Sequence, residues 1–279
     1  MGRGFLLAVA MVLLAGCASD DPLKVISFNV RVCIDDTFDG ENNWRFRREA
    51  TVKMLQDEQP DFFGLQEALY HQAKYIDESL PEYTKYGVDR EGGVEKGEAE
   101  SCALFYRNDK YKLLDKGTFW LSQTPEEPSR GWDAACHRVA TWALLKQKGL
   151  GGREILFVNT HFDHKGKEAR ANSGRLIMER IGEMAPQGAI IILTGDFNAE
   201  IDDVAVAPIR EALAYSRETA PVTDSTTTYN AWGRRETPTI IDHIFYRNLT
   251  PLSYKTVTRD YGVPYISDHY PIVFEADFE

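Results

Sequence analysis

Ile190-Ile191-Ile192-Leu193-Thr194-Gly195-Asp196-Phe197-Asn198 is an unbroken aliphatic run that stops abruptly at a carboxylate and a carboxamide. Aliphatic residues at every position of so short a run mark a strand buried on both faces, and the polar residues mark where it ends. The same grammar recurs elsewhere. Val25-Ile26-Ser27-Phe28 leads into Asn29, Phe62-Phe63-Gly64-Leu65 into Gln66-Glu67, and Ile155-Leu156-Phe157-Val158 into Asn159-Thr160-His161. Ile240-Ile241-Asp242-His243-Ile244-Phe245 carries Asp242 within its apolar pattern, and Asp268-His269 precedes Tyr270-Pro271. Between these strands, Leu69, Ala73, Ile76 and Leu80 recur at helical spacing before Pro81, as do Ala169, Leu176, Ile177, Ile181 and Met184 before Pro186. Strands and helices mixed along one undivided length predict a single α/β domain whose helices cover a sheet. The glycine- and acid-rich residues 87–100 predict a solvated loop between strands.

The chain has 279 residues, 43% of them hydrophobic and 27% charged, which is enough for one large core. Residues 1–16 stand apart. Arg3 gives a basic start, residues 5–14 are apolar, and Leu14-Ala15-Gly16 ends in small residues before Cys17, the pattern of a signal peptide. The apolar stretch is shorter than the ~20 residues of a spanning helix. Leu14-Ala15-Gly16-Cys17 resembles the bacterial lipoprotein signal, which implies export, a diacylglycerol on the Cys17 thiol and a place at the cell envelope. Residues 17–22 then form a lipidated tether to a domain at 23–279, and the membrane is met through that anchor alone. Cys33, Cys102 and Cys136 are odd in number and widely spaced, unlike a zinc site or disulfide framework. Cys102 reads as a small buried hydrophobe, while Cys33 and Cys136 are open to being free or paired.

The net charge of −11 argues against a long polyanionic partner, because nucleic-acid binding draws on Lys and Arg neutralising phosphates. No basic stretch is interleaved with aromatics. Phe119-Trp120, Trp132, Tyr229 and Trp232 are placed in loops, where a sugar, lipid head group or base would find a platform.

Taken singly, the polar residues at strand ends are turn formers, helix caps or structural histidines. Together they are harder to dismiss. Four carboxylates (Glu67, Asp196, Asp242, Asp268), two amides (Asn29, Asn198) and two histidines (His161, His269) sit at strand termini or inside the core pattern. Burying so many ionisable groups without a cation or mutual pairing is costly. Oxygen donors dominate, which suits magnesium, manganese or calcium better than zinc. One or two such ions beside a carboxylate-held histidine point to hydrolysis of a phosphate ester by in-line attack of water.

These residues resemble the endonuclease/exonuclease/phosphatase superfamily. Its motifs appear in order as Ser27-Phe28-Asn29, Leu65-Gln66-Glu67, Asn159-Thr160-His161, Gly195-Asp196-Phe197-Asn198, Ile241-Asp242-His243-Ile244 and Ser267-Asp268-His269-Tyr270-Pro271. The resemblance implies two packed mixed β-sheets flanked by helices, a four-layer α/β sandwich, with the site where strand ends converge. It implies Glu67 as the principal metal ligand, helped by Asn29 and Asp268. Asp196 and Asn198 would orient the nucleophilic water or hold a second metal, and contact the phosphate. His269 paired with Asp242 would act as general base or transition-state stabiliser, and His161 would contact the phosphate or protonate the leaving group. In the deoxyribonuclease branch, Glu100 matches a carboxylate that holds the equivalent of His161, and Arg138 a phosphate-binding arginine. The expected activity is a metal-dependent phosphomonoesterase or phosphodiesterase on a small phosphorylated sugar, inositol or lipid head group. A scavenging nuclease and a phosphoglycan-binding lipoprotein without catalysis are the alternatives.

Overall fold

The computed structural model describes residues 21–93 and 98–279, so the lipoprotein-like segment and Cys17 lie outside the described residues. In chain order come β1 (Leu23–Asn29), α1 (Trp44–Glu58), β2 (Phe62–Gln66), α2 (Tyr70–Ser79), β3 (Tyr83–Tyr86) and β4 (Leu104–Arg107). Next are β5 (Tyr111–Trp120), β6 (Val139–Gln147), β7 (Glu154–His161), α3 (Lys167–Met184) and β8 (Ile190–Asp196). The short α4 (Ala207–Arg210), β9 (Ala214–Tyr215) and α5 (Ser216–Thr219) lead to β10 (Asp242–Arg247), β11 (Leu249–Thr256) and β12 (Ile272–Phe278).

The strands form two six-stranded sheets, ordered β11-β12-β1-β2-β4-β3 and β5-β6-β7-β8-β10-β9. Both are mixed, with one parallel pair each, β1/β2 and β7/β8. Parallel neighbours require a crossover, and α1 and α3 supply the two. Because side chains alternate along a strand, each aliphatic run feeds two cores. Val25, Phe62, Phe157 and Ile192 point between the sheets, where they meet Leu104, Tyr254 and Phe274. Ile26, Phe28 and Phe63 face outward to Met54, Leu55 and Ile76 of α1 and α2. Val158 and Leu193 face Ile177 and Ile181 of α3. This is the four-layer arrangement of two mixed sheets flanked by helices.

Toward the ends of the parallel strands the layer between the sheets turns polar. The Gln66 amide donates to Asn159 Oδ1 at 2.7 Å, and the Asn159 amide donates to the carbonyls of Leu65 at 2.8 Å and Ala103 at 3.1 Å. Gly64 makes room for this latch, since a Cβ there would lie 2.4 Å from Asn159 Oδ1. Buried polar groups bonded to one another fix the two sheets in one register, which an apolar interface specifies less tightly.

Three features differ from the sequence expectation. Helix α1 carries no clean apolar stripe in the sequence, because its buried face includes Arg47 and Thr51 beside Ala50, Met54 and Leu55. Asn43 caps it, accepting from the Arg45 amide at 3.1 Å. Phe119-Trp120 closes strand β5 and is buried rather than lying in a loop. Residues 87–100 are not solvated throughout: Asp89 is buried and Arg90 pairs with Glu100 at 2.9 Å. Among the described residues Cys33, Cys102 and Cys136 form no disulfide.

Candidate active site

Asn29, His161 and Asp196 are the last residues of β1, β7 and β8, and Glu67 follows β2 directly. The central parallel pairs therefore deliver four polar side chains to one end of the sandwich. Asp242 opens β10 opposite Asp196, and the turn before β12 adds Asp268 and His269. Glu67 and Asn198 sit in the left-handed backbone region with φ of 60° and 46°. Such a conformation costs a non-glycine residue about 1–3 kcal/mol and persists only where surrounding bonds fix it. For Glu67 those bonds are Asn29 Nδ2 to Oε1 and Val32 N to Oε2, both 2.9 Å. For Asn198 they are its amide nitrogen on Asp196 Oδ1 at 2.9 Å and its side-chain amide on the Phe162 carbonyl at 3.0 Å.

Asp196 is the hub. Its Oδ2 accepts from Asn29 Nδ2 at 2.9 Å and lies 3.5 Å from His161 Nε2 and 3.8 Å from His269 Nε2. Burial, reinforced by the charge of Asp242, pushes the Asp196 carboxyl up to about 7. His269 Nδ1 donates to Asp242 Oδ2 at 2.8 Å. Burial opposes a charge on that ring, but Asp242 and Asp196 outweigh it and push the imidazole up to about 10. His161 goes the other way: burial first, then the nearby Arg138, hold it well below the usual range. Asn198 Nδ2 can only donate, so His161 Nε2, 3.0 Å away, accepts and the proton of the neutral ring sits on Nδ1.

Asn29 also bonds to its neighbours through both ends of its carboxamide. Its Oδ1 accepts the Arg31 amide at 2.9 Å, while its Nδ2 spans Glu67 and Asp196. It positions two carboxylates, and the second lone pair of its Oδ1 is left for a cation. Glu100 does not hold His161; it pairs with Arg90 because the segment carrying it folds back along Arg90, whose backbone amide donates to the Glu100 carbonyl at 2.9 Å. Arg138 does reach the site, buried, with Nε 3.4 Å from Asp163 Oδ2 and Nη2 donating to His164 Nδ1 at 2.9 Å.

Sequence reasoning missed Arg31, Arg90, Asp163 and His164. Arg31 bonds Asp39 at 2.9 Å and lies 3.9 Å from Glu67 and 3.8 Å from Asp268. Asp163 accepts the backbone amides of Lys165 at 2.9 Å, Gly166 at 2.7 Å and Ala135 at 3.1 Å. Those bonds overcome burial and hold its carboxyl below the ordinary range. The available signal was position: Arg31 lies two residues beyond Asn29, and Asp163-His164 two and three beyond His161. Among the aromatics, Tyr229 lines the cleft with its ring 4.9 Å from that of His269. Trp232 is instead buried beside Arg47.

These groups line a cleft of about 650 Å³ that gathers Glu67, Asp196, Asp268 and His269 with Arg90, Arg138 and His164. The donor set fits a hard divalent cation. Oxygen atoms of buried or half-buried carboxylates converge, ligand atoms of Glu67, His161 and Asp196 lie within 4.8 Å of one another, and buried Asp242 Oδ1 has no hydrogen-bond partner among the described residues.

Residues 26–269 match the model of the endonuclease/exonuclease/phosphatase family. An endonuclease/exonuclease/phosphatase structure from Bacteroides vulgatus superposes with a TM-score of 0.85 at 34% identity, covering 92% of this chain and 99% of that one. A mannosyl-6-phosphatase from Bacteroides thetaiotaomicron gives 0.84 at 34% identity, over 92% of this chain and 100% of the other. The Ccr4 exoribonuclease subunit from Emericella nidulans is 30% identical over 160 residues, which is 50% of this chain but 23% of that protein. The chain belongs to the endonuclease/exonuclease/phosphatase family and is a metal-dependent hydrolase of phosphate ester bonds.

Proposed function

We propose that this enzyme hydrolyses a compact phosphoester, a phosphorylated sugar above all, as a phosphomonoesterase or phosphodiesterase. The observation that carries the reading is the cleft. Its volume of about 650 Å³ is that of a small-molecule site, and its lining brings the cationic groups of His269 and Arg138 together with His161 and Asn198 on a chain whose net charge is −11. A neighbouring phosphate of a polymer would meet that negative charge outside the cleft. Similarity to a mannosyl-6-phosphatase supports the same substrate class.

Within the cleft, Asp196 is the base that takes a proton from the attacking water, because its raised pKa matches neutral pH. Asn198 orients that water and the phosphate. His269, kept protonated between Asp242 and Asp196, stabilises charge on the phosphoryl oxygens, a role the geometry favours over general base. Neutral His161 and Arg138 bind the phosphate. A divalent cation, magnesium or manganese, held by Glu67 and Asp268 would polarise the phosphoryl group and offset charge on the leaving oxygen. Asn29 and Arg31 orient those two carboxylates. We also place the enzyme at a bacterial cell envelope, lipidated on Cys17, on the strength of Leu14-Ala15-Gly16-Cys17.

The test compares kcat/KM for a hexose 6-phosphate, an inositol phosphate and a phosphorylated lipid head group with that for DNA and RNA oligomers, with added magnesium. The sugar phosphate should lead, with turnover nearly independent of salt. Efficient cleavage of an oligonucleotide that falls steeply with salt would instead establish a nuclease, the second reading, which the Ccr4 similarity favours.

A further inference from the structure

Arg47, on α1, is fully buried at 1% exposure, yet among the described residues no carboxylate lies within ion-pairing distance of it. A buried cation without such a partner needs other acceptors. Here they are backbone carbonyls. Nε donates to Asn42 O at 2.8 Å, Nη2 to Arg31 O at 2.9 Å, and Nη1 to both Val30 O and Ile266 O, the latter at 3.0 Å. The guanidinium carbon lies 5.1 Å from the ring centroid of Trp44 and 5.4 Å from that of Trp232.

The identity of those carbonyls matters more than their number. Val30 and Arg31 directly follow Asn29, and Ile266 is two residues before Asp268. One guanidinium thus grips the segment whose Asn29 and Val32 hold Glu67 and the turn that carries Asp268, although 219 residues separate Arg47 from Ile266. We propose that Arg47 is a positioning residue that ties the end of β1 to the turn before β12 and so sets the spacing of the oxygen donors for the divalent cation. This rests on the reading of Glu67 and Asp268 as metal ligands. The flat, five-donor fork of arginine is what the arrangement requires, since three nitrogens of one side chain must reach four carbonyls while its faces pack on indole rings. Lysine keeps the charge but has three donors on a single nitrogen and cannot span them.

The experiment measures Mn²⁺ binding to metal-stripped protein by isothermal titration, alongside the thermal midpoint, for Arg47→Lys, Trp232→Leu and Glu67→Gln. Loss of a group that orients ligands costs roughly 10- to 100-fold in metal affinity, so Arg47→Lys should weaken Mn²⁺ binding by about tenfold. Its KM for substrate at saturating Mn²⁺ should stay within about threefold of the parent. Trp232→Leu, which removes only one indole face, should show the same trend to a smaller extent. A merely structural role predicts a lower midpoint with unchanged affinity in the folded protein, and that result overturns the proposal. If Arg47→Lys does not fold, unchanged binding by Trp232→Leu overturns it equally. Glu67→Gln separates the two failures. Should that variant also bind Mn²⁺ normally, the metal-site reading falls and takes the tie with it; should it alone lose binding, only the role of Arg47 is refuted.

Discussion

Replacing Asp242 with asparagine isolates the charge that holds His269. The carboxylate accepts from His269 Nδ1 at 2.8 Å, and both side chains are buried. Asparagine keeps the shape and one acceptor oxygen but removes the negative charge. A buried hydrogen bond with an ionised partner contributes about 1.5–3 kcal/mol. If that stabilisation is expressed in the transition state, kcat should fall roughly 10- to 150-fold. The pH dependence sharpens the test. In the parent, His269 is pushed up to about 10 and stays protonated through neutral pH. Without the Asp242 charge its pKa drops toward the ordinary value of about 6.5. The ratio of parent to variant kcat should therefore be small below about pH 6, where the ring is protonated in both proteins, and grow as pH rises. Asp242 Oδ1 is buried and unpartnered, so the new amide nitrogen finds no acceptor there and the thermal midpoint should drop as well. The assay is steady-state turnover of a phosphoester at saturating magnesium, well below the variant's midpoint, with His269→Ala and the double variant in parallel. A kcat ratio that stays flat with pH, or full additivity of the two changes, refutes the pairing.

Asp163→Asn should raise KM by loosening Arg138, and should lower the thermal midpoint because three backbone amides then face a weaker acceptor. Its carboxyl is depressed in the folded state, so the stability it contributes is present above the ordinary aspartate pKa and lost as pH falls through the folded value. Midpoints measured from neutral pH downward should show parent and variant converging in acid; a constant gap would count against this account. Cys17→Ala should release the protein from the membrane fraction without loss of turnover, and a variant that still pelleted with membranes in detergent-free buffer would remove Cys17 as the anchor.

Where sequence sufficed, the reason was local chemistry. A strand buried on both faces has no cause of its own to end in Asp, Asn, Glu or His, so Asn29, Glu67, His161 and Asp196 stood out without any knowledge of their neighbours. The same strands announced a layered α/β domain, because aliphatic residues on both faces require cover on both sides. Partnership was different. Glu100 lies in a segment whose path only the fold defines, and that path gives it Arg90 rather than His161. Asn29 stands out at the end of a strand, but only the fold shows its Nδ2 spanning the carboxylates of Glu67 and Asp196. Helix α1 hid behind Arg47, whose burial makes sense only beside the carbonyls of Val30, Arg31 and Ile266. The sequence alone determined which residues are too polar for where they sit. The tertiary structure decided what each one bonds to, because hydrogen bonds and charges act across a few ångströms and the groups that meet here are up to 238 residues apart along the chain.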